Sequence, residues 1–367
     1  MTKLNSLNVT VIILSLLTLS AFAQKKDEKD KRKEPFKIEK LTQGMGLVGI
    51  GPLSPDGRSV LLIAKRPDTA PNLYVMNVTD SSIRPPITNL KNGVSEPSWS
   101  PDSSVVAFTG FGETASFSDV YTVEIKSGRV RQHTSNNFSD KEAVFSPDGK
   151  ILFYTSDESP LPDAAFGTLH VASVPVAGGK GEAFTEDEGS SVLPGISADS
   201  KNVLIVKVAE PSGRHSLWEY DFKGNAAREL IADKLARIRG YTLSATGGFM
   251  VIWAQEHVEQ QDSLYLFDLK SRELRPLPDL DSPMRYPTVS PDGKLIAFVS
   301  PAAEGPEIFL YDIASGQMQQ LTNKRARHYT PTFITNDRIL FGSDRDGEDE
   351  LYVINLSTPA EEEKKKK

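Results

Sequence analysis

Three groups of residues in this 367-residue chain have the types to do chemistry. The first is five histidines: His133, His170, His215, His257 and His328. No two stand at a metal-ligand spacing, so each reads as a strand or loop residue. The second is the acidic run Asp344, Asp346, Glu348, Asp349 and Glu350. It echoes a calcium loop without that loop's frame, and a solvated loop is the expectation. The third is Gly44, Gly46 and Gly49, a Gly-x-Gly-x-x-Gly. A dinucleotide fingerprint needs a preceding strand in a βαβ unit and a helix after it, and here an inner strand and a turn follow, so close backbone packing is expected. A nucleophile elbow, a phosphate loop and a His-Glu-x-x-His are all missing. The sequence has no cysteine, which excludes disulfides, thiolate metal sites and thiol nucleophiles. No catalytic residue and no metal site is therefore assigned. No cofactor is expected, calcium being the one ion worth testing.

The strongest pattern is structural. Ser54-Pro55-Asp56-Gly57 reads as a turn: proline pre-sets φ, Asp can bond its own backbone, and Gly closes the reversal. It returns at Ser100-Pro101-Asp102-Ser103, Ser146-Pro147-Asp148-Gly149 and Ser290-Pro291-Asp292-Gly293. Weaker copies start at Ser197 and Ser244, and a degenerate seventh starts at Ile334. A near-constant period of this length marks a solenoid or a propeller.

Each turn leads into an apolar run, such as SVLLIAK, ILFYTSD or LIAFVS, rich in β-branched and aromatic residues and too short for a helix. A third strand follows each, as in NLYVMNV or EIFLYDI, and shorter fourth strands follow in VRQHTS and MQQLTN. The fold class is thus all-β: a seven-bladed β-propeller of four-stranded antiparallel blades over residues 36–357. The last repeat stops after its third strand, while FKIEKLT at 36–42 resembles an orphaned fourth strand. The expectation is that this N-terminal strand completes the last blade and closes the ring, because an open ring leaves unpaired edges. The glycines at 44, 46 and 49 would then pack at the ring centre.

In a propeller the entry ends of the inner strands line the central channel. Four positions before each turn anchor stand Ile50, Glu96, Glu142, Leu193, Gly240, Tyr286 and Thr330. One position earlier stand Ser95, Lys141, Arg239, Arg285 and Tyr329, with His328 before Tyr329. Glu96, Glu142, Arg239, Arg285, Tyr286, His328 and Tyr329 are the candidate partner-binding residues of the rim, suited to a peptide or polar ligand. Glu96 and Glu142 come from consecutive blades and could share a cation.

Charge and the N-terminus bear on location. Setting aside the eight basic and five acidic residues of 25–40, the four and three of 361–367, and Lys3, residues 41–360 hold 29 basic and 41 acidic side chains, a net −12. That balance excludes a generally basic nucleic-acid binder. Lys3, the apolar run Val9–Ala21 and Ala21-Phe22-Ala23 read as a signal peptide over 1–23. A charged disordered linker at 24–35 and a disordered Glu/Lys tail at 358–367 flank the ring. The sequence predicts a periplasmic or secreted monomer with no integral membrane span after cleavage.

The Ser-Pro-Asp-Gly turn followed by an IAF-type strand and an IYV-type strand resembles the Pro-Asp-repeat propellers of the TolB type, best in SPDGKLIAFVSPAAEGPEIFLYDI. It is also similar to the N-terminal propellers of prolyl-oligopeptidase-like and dipeptidyl-peptidase-like enzymes. The resemblance covers residues 36–357 and implies a fold before it implies a function. It implies a non-catalytic scaffold that binds a protein or peptide partner. The alternatives are a detached gate domain working with a serine peptidase, and a lactonase- or lyase-type enzyme with a channel metal.

Overall fold

The computed structural model describes residues 34–359, except 113–115, 159–167, 187–188, 210, 225–226 and 302–304. The expected signal peptide, most of the linker and residues 360–367 lie outside the described residues. The described residues contain strands and no helix. None is therefore a helix long and apolar enough to cross a membrane.

The strands form seven antiparallel sheets. Each begins with an inner strand: Leu47–Leu53, Val94–Trp99, Asp140–Phe145, Ser190–Ile196, Arg237–Leu243, Arg285–Val289 and His328–Thr335, for blades 1 to 7. The second strands start just past the Ser-Pro-Asp turns, as at Ser59–Ala64 and Leu295–Ser300. They read as continuous apolar runs because both faces are covered. In blade 1, Val60, Leu62 and Ala64 face the seam with blade 7, while Leu61 and Ile63 face the seam with blade 2. Each of the seven seams has its own apolar cluster.

The turns work as a repeated hydrogen-bonded unit. The Ser54 hydroxyl donates to Asp56 Oδ1 at 2.5 Å and accepts the Ser59 N–H at 2.9 Å, while Asp56 also accepts the Arg58 N–H at 3.0 Å. Ser100, Ser146, Ser197 and Ser290 repeat the serine–aspartate bond. These bonds hold the Asp56 carboxyl below its ordinary pKa, Ser54 contributing most. In the seventh copy Thr335 donates to Asp337, so the anchor sits one residue later than the sequence frame that begins at Ile334.

Blade 7 closes the ring as expected. Phe36–Lys40 pairs with Glu350–Pro359, Ile38 opposite Ile354 and Lys40 opposite Tyr352. The last strand runs two residues past the expected boundary at 357. The ladder is locked by Glu350, which is fully buried. Its carboxylate accepts from Thr42 Oγ1 at 2.6 Å, from the Gly44 N–H and from the Met45 N–H at 3.3 Å, and the Lys40 ammonium lies 3.7 Å away. Thr42 Oγ1 in turn accepts the Leu351 N–H at 2.9 Å. The same hydroxyl device holds blade 1 (Thr88, Asn72), blade 2 (Thr134, Asp119) and blade 6 (Thr322, Glu307).

Two expectations change. Blade 1 has three strands and only an isolated Met76–Ile83 bridge where a fourth would lie. Pro85 and Pro86 follow at once, and proline cannot donate to a ladder. Of the three glycines expected to pack closely, Gly44 and Gly49 have open space where a Cβ would stand, and Gly46 packs closely beside the clasp rather than at the ring centre. Gly46 has φ +60°, and a Cβ there would lie 2.2 Å from the Lys65 carbonyl oxygen.

Candidate binding site at the channel mouth

The inner strands surround a central channel holding two cavities. One, of about 950 Å3, lies against blades 1, 5, 6 and 7. The other, of about 280 Å3, lies against blades 2, 3, 4 and 5. They meet at Gly240 and Tyr241. The Tyr241 hydroxyl crosses to blade 4 and donates to the Leu193 carbonyl at 3.0 Å. Its ring fills the place a side chain at Gly195 would take, since a Cβ there would lie 2.2 Å from the hydroxyl. Hydroxyls also stitch neighbouring walls: Ser98 Oγ donates to the Ala143 carbonyl at 2.6 Å and Thr242 Oγ1 to the Pro287 carbonyl at 3.0 Å.

At the entry to the channel the inner strands are bulged. The pairing register shifts between Ser95 and Ser98, Val192 and Gly195, Arg285 and Thr288, and Tyr329 and Thr332. Each shift spans a proline: Pro97, Pro194, Pro287 or Pro331. A residue without an N–H interrupts the ladder, and the extra residue is taken up as a bulge that re-aims a side chain. Glu96, Glu142, Leu193, Tyr286 and Thr330 have φ of 50°, 57°, 54°, 53° and 45°. These are left-handed conformations that side chains other than glycine's and asparagine's rarely adopt, costing on the order of 1–3 kcal/mol each. Four of them stand four positions before the turn serine, and Thr330, five before Thr335, takes the same place in the register shift of its own strand. Gly240 shares that position without a positive φ, and so does Ile50 in blade 1.

The candidate rim residues divide into three sets. Glu96 and Glu142 are brought together beside the smaller cavity. Thr109 Oγ1 donates to Glu96 Oε2 at 2.9 Å and accepts the Glu142 N–H at 3.2 Å; Thr155 Oγ1 donates to Glu142 Oε2 at 3.0 Å. Burial raises the Glu142 pKa and the Glu96 charge adds to the rise, against Lys141, which lowers it. Arg239, Arg285 and Tyr286 gather on the opposite side. Asp262, 6% exposed, lies 3.5 Å from Arg239 Nε and 3.0 Å from Arg285 Nε. Tyr286, 47% exposed, meets Trp253 edge to face at 4.7 Å between ring centroids.

The third pair is committed elsewhere. His328 is fully buried, 3.4 Å from Glu307 and edge to face with Phe341. Burial pushes its pKa down to about 4. A side chain so placed offers a partner nothing, which removes it from the rim. Tyr329 is part-buried, and its one hydroxyl proton is shared between the Leu47 carbonyl at 3.0 Å and Asp349 Oδ1 at 3.2 Å, tying blade 7 to blade 1.

Among the described residues no three His, Asp or Glu side chains are grouped to hold a metal ion. The acidic run at 344–350 is not simply solvated: Asp344 and Asp349 pair with Arg327, and Asp346 with Lys324. Sequence reasoning passed over Asp262, Trp253 and Tyr241. The prolines just after the rim positions were the available signal for the bulge.

The family model for the TolB β-propeller domain matches residues 53–288. The chain is 28% identical to the uncharacterized peptidase YuxL of Bacillus subtilis over 146 aligned positions, covering 30% of this chain and 22% of that protein. It is 33% identical to the Tol-Pal system protein TolB of Coxiella burnetii over 94 residues, covering 26% of this chain and 22% of that protein. The matches thus span about a fifth of each relative's length. Among solved structures, an oligogalacturonate lyase from Vibrio parahaemolyticus superimposes with a TM-score of 0.68 at 16% identity, over 87% of this chain and 93% of that one. Likeness at that identity speaks for the fold.

Proposed function

The chain belongs to the TolB β-propeller family, and on that premise we propose that it is an exported, non-catalytic propeller that holds a protein or peptide partner at the mouth of its channel. The observation that carries the reading is the set of inner-strand bulges. Five blades hold a side chain other than glycine at positive φ at one equivalent position. Strain repeated at one place is a cost that ring closure alone does not require, and strained backbone concentrates where a surface must present particular side chains. The rim also carries opposite charges on opposite sides and an exposed tyrosine, chemistry that suits polypeptide recognition.

Immobilised protein should retain a specific protein from a periplasmic extract. The triple variant Glu96→Gln, Glu142→Gln, Arg285→Gln should lose it while melting normally. Capture that is non-specific, or that survives the triple change, removes the reading.

A second reading has support in the match to YuxL, a peptidase by name. Here the propeller would be the gate of a serine peptidase carried on another chain. It predicts co-purification with an α/β-hydrolase and a change in that enzyme's preference for substrate length. A captured partner without hydrolase activity favours the scaffold.

A further inference from the structure

We propose that the basic side of the channel mouth is a carboxylate-capture site, built from Arg239 and Arg285 on Asp262, and that it takes an acidic segment of the partner protein. The inference rests on the channel-mouth reading and names the chemistry that site selects.

Arg239 and Arg285 occupy the same position in consecutive blades, five before the turn serines Ser244 and Ser290, Arg239 within the register shift of its inner strand and Arg285 at the edge of its own. Both are about half exposed, 41% and 47% over the side chain, and both lean on one buried carboxylate. Asp262 meets each guanidinium at Nε. Two cations on one anion leave a net positive charge. The only hydrogen bond Arg285 donates among the described residues is from Nε to Asp262, so its terminal nitrogens remain as donors. Arg239 spends one terminal nitrogen weakly, on Gln255 Oε1 at 3.5 Å. Guanidinium nitrogens in a fixed fork match a carboxylate in geometry and charge. Asp262 holds the two forks in place before any ligand arrives, which reduces the ordering cost of binding.

The surroundings favour the same ligand. Arg239, Trp253 and Tyr286 line the larger cavity, so the charge sits at the edge of a space that admits a peptide chain. Glu96 and Glu142 border the smaller cavity and repel an anion there, which fixes on which side an acidic group settles. The body of the chain is strongly acidic, so diffuse attraction cannot account for binding an acidic peptide. Any such binding must be local.

Fluorescein-labelled, end-blocked hexapeptides of alternating glycine with glutamate, glutamine or lysine test the site by fluorescence anisotropy. A glycine–glutamine peptide with a free C-terminus separates a terminal carboxylate from acidic side chains as the source. The glutamate peptide, the free-terminus peptide or both should bind, more weakly in high salt, and the blocked glutamine peptide should not. Arg239→Gln and Arg285→Gln should each weaken binding about tenfold, the loss of one charge-assisted bond. Each single variant leaves Asp262 one arginine and should keep its melting temperature. Binding of the blocked glutamine peptide as tight as that of the carboxylate peptides overturns the proposal. So does binding unchanged in both variants, or no binding of either carboxylate peptide to the unaltered protein. If a partner is still captured from extract by Arg239→Gln and Arg285→Gln, the scaffold reading stands and this inference falls alone.

Discussion

Glu307 and His328 show what a seam between blades does to ionisable side chains. Burial raises the Glu307 pKa from 4.5 to about 7, while Thr322 lowers it in opposition. Beside it, burial takes the His328 pKa down to about 4. Both groups are therefore neutral in the folded protein over the interval where the unfolded chain would charge them. For Glu307 the folded state binds the extra proton between about pH 4.5 and 7, so its contribution to stability falls as pH rises through that window. His328 has the opposite sign: the unfolded imidazole holds the extra proton, and stability rises with pH from about 4 to 6.5. The two slopes oppose one another in the unaltered protein. Glu307→Gln removes one of them. Measured by denaturant unfolding, the stability of this variant relative to the unaltered protein should improve as pH is raised from about 4.5 to 7. A difference that stays flat, or that worsens with pH, contradicts the assignment of a raised pKa.

At the scale of elements, the clasp strand repeats a device the other blades use locally. Thr88 accepts the Leu73 N–H and donates to Asn72, only 16 residues away. Thr42 accepts the Leu351 N–H and donates to Glu350, 308 residues away. The bonds are alike and their topological burden differs. Thr88→Val and Thr42→Val should each cost about 1–3 kcal/mol at equilibrium, because both leave a buried donor or acceptor unmet. Only Thr42→Val should greatly speed unfolding in stopped-flow measurements, since it loosens the ladder that must open before the blades separate. An unfolding rate unchanged by Thr42→Val would show that the clasp opens after the rate-limiting step. The turns, the second strands and the third strands were legible in the sequence because each is a local pattern of residue types. Thr42 was legible only as part of an orphaned LT fragment. Glu350 was read as one more solvated acid, because its partner lies at the far end of the chain. The missing fourth strand of blade 1 could have been read from Pro85-Pro86. The offset of the seventh turn could not, since the Thr335–Asp337 bond appears only once the hairpin is built.

At the scale of the whole molecule, the ring has seven apolar seams and one place where it can open. That place is the ladder between Phe36–Lys40 and Glu350–Pro359. Phe36 lies opposite Pro359, so a short hairpin linker could join the two strands. New termini could be opened between Gln43 and Gly44. Such a permutant keeps every blade and every seam but makes blade 7 continuous in sequence. The ring is then held shut by the packing of blade 1 on blade 7 and by the loop bonds to Glu350, with no strand exchanged across the closure. The permutant should fold to the same sheet content and unfold faster than the natural order. Unfolding at the same rate would mean the seams alone set kinetic stability, and the clasp is then only a cover for the strand edge.

The sequence by itself determined the number of blades, the positions of the first six turns and of the second strands, and the strand that closes the ring. Each follows from short-range periodicity and the stereochemistry of serine, proline and glycine. Tertiary structure alone decided which rim residues face the channel. A side chain's direction at a bulge depends on the register of its neighbouring strand, and that register is set across the sheet rather than along the chain. For that reason Glu96 and Glu142 border one cavity of the channel and Arg239 and Tyr286 the other, with Arg285 joined to Arg239 through Asp262, while His328, from the same stretch of inner strand, turned into a seam.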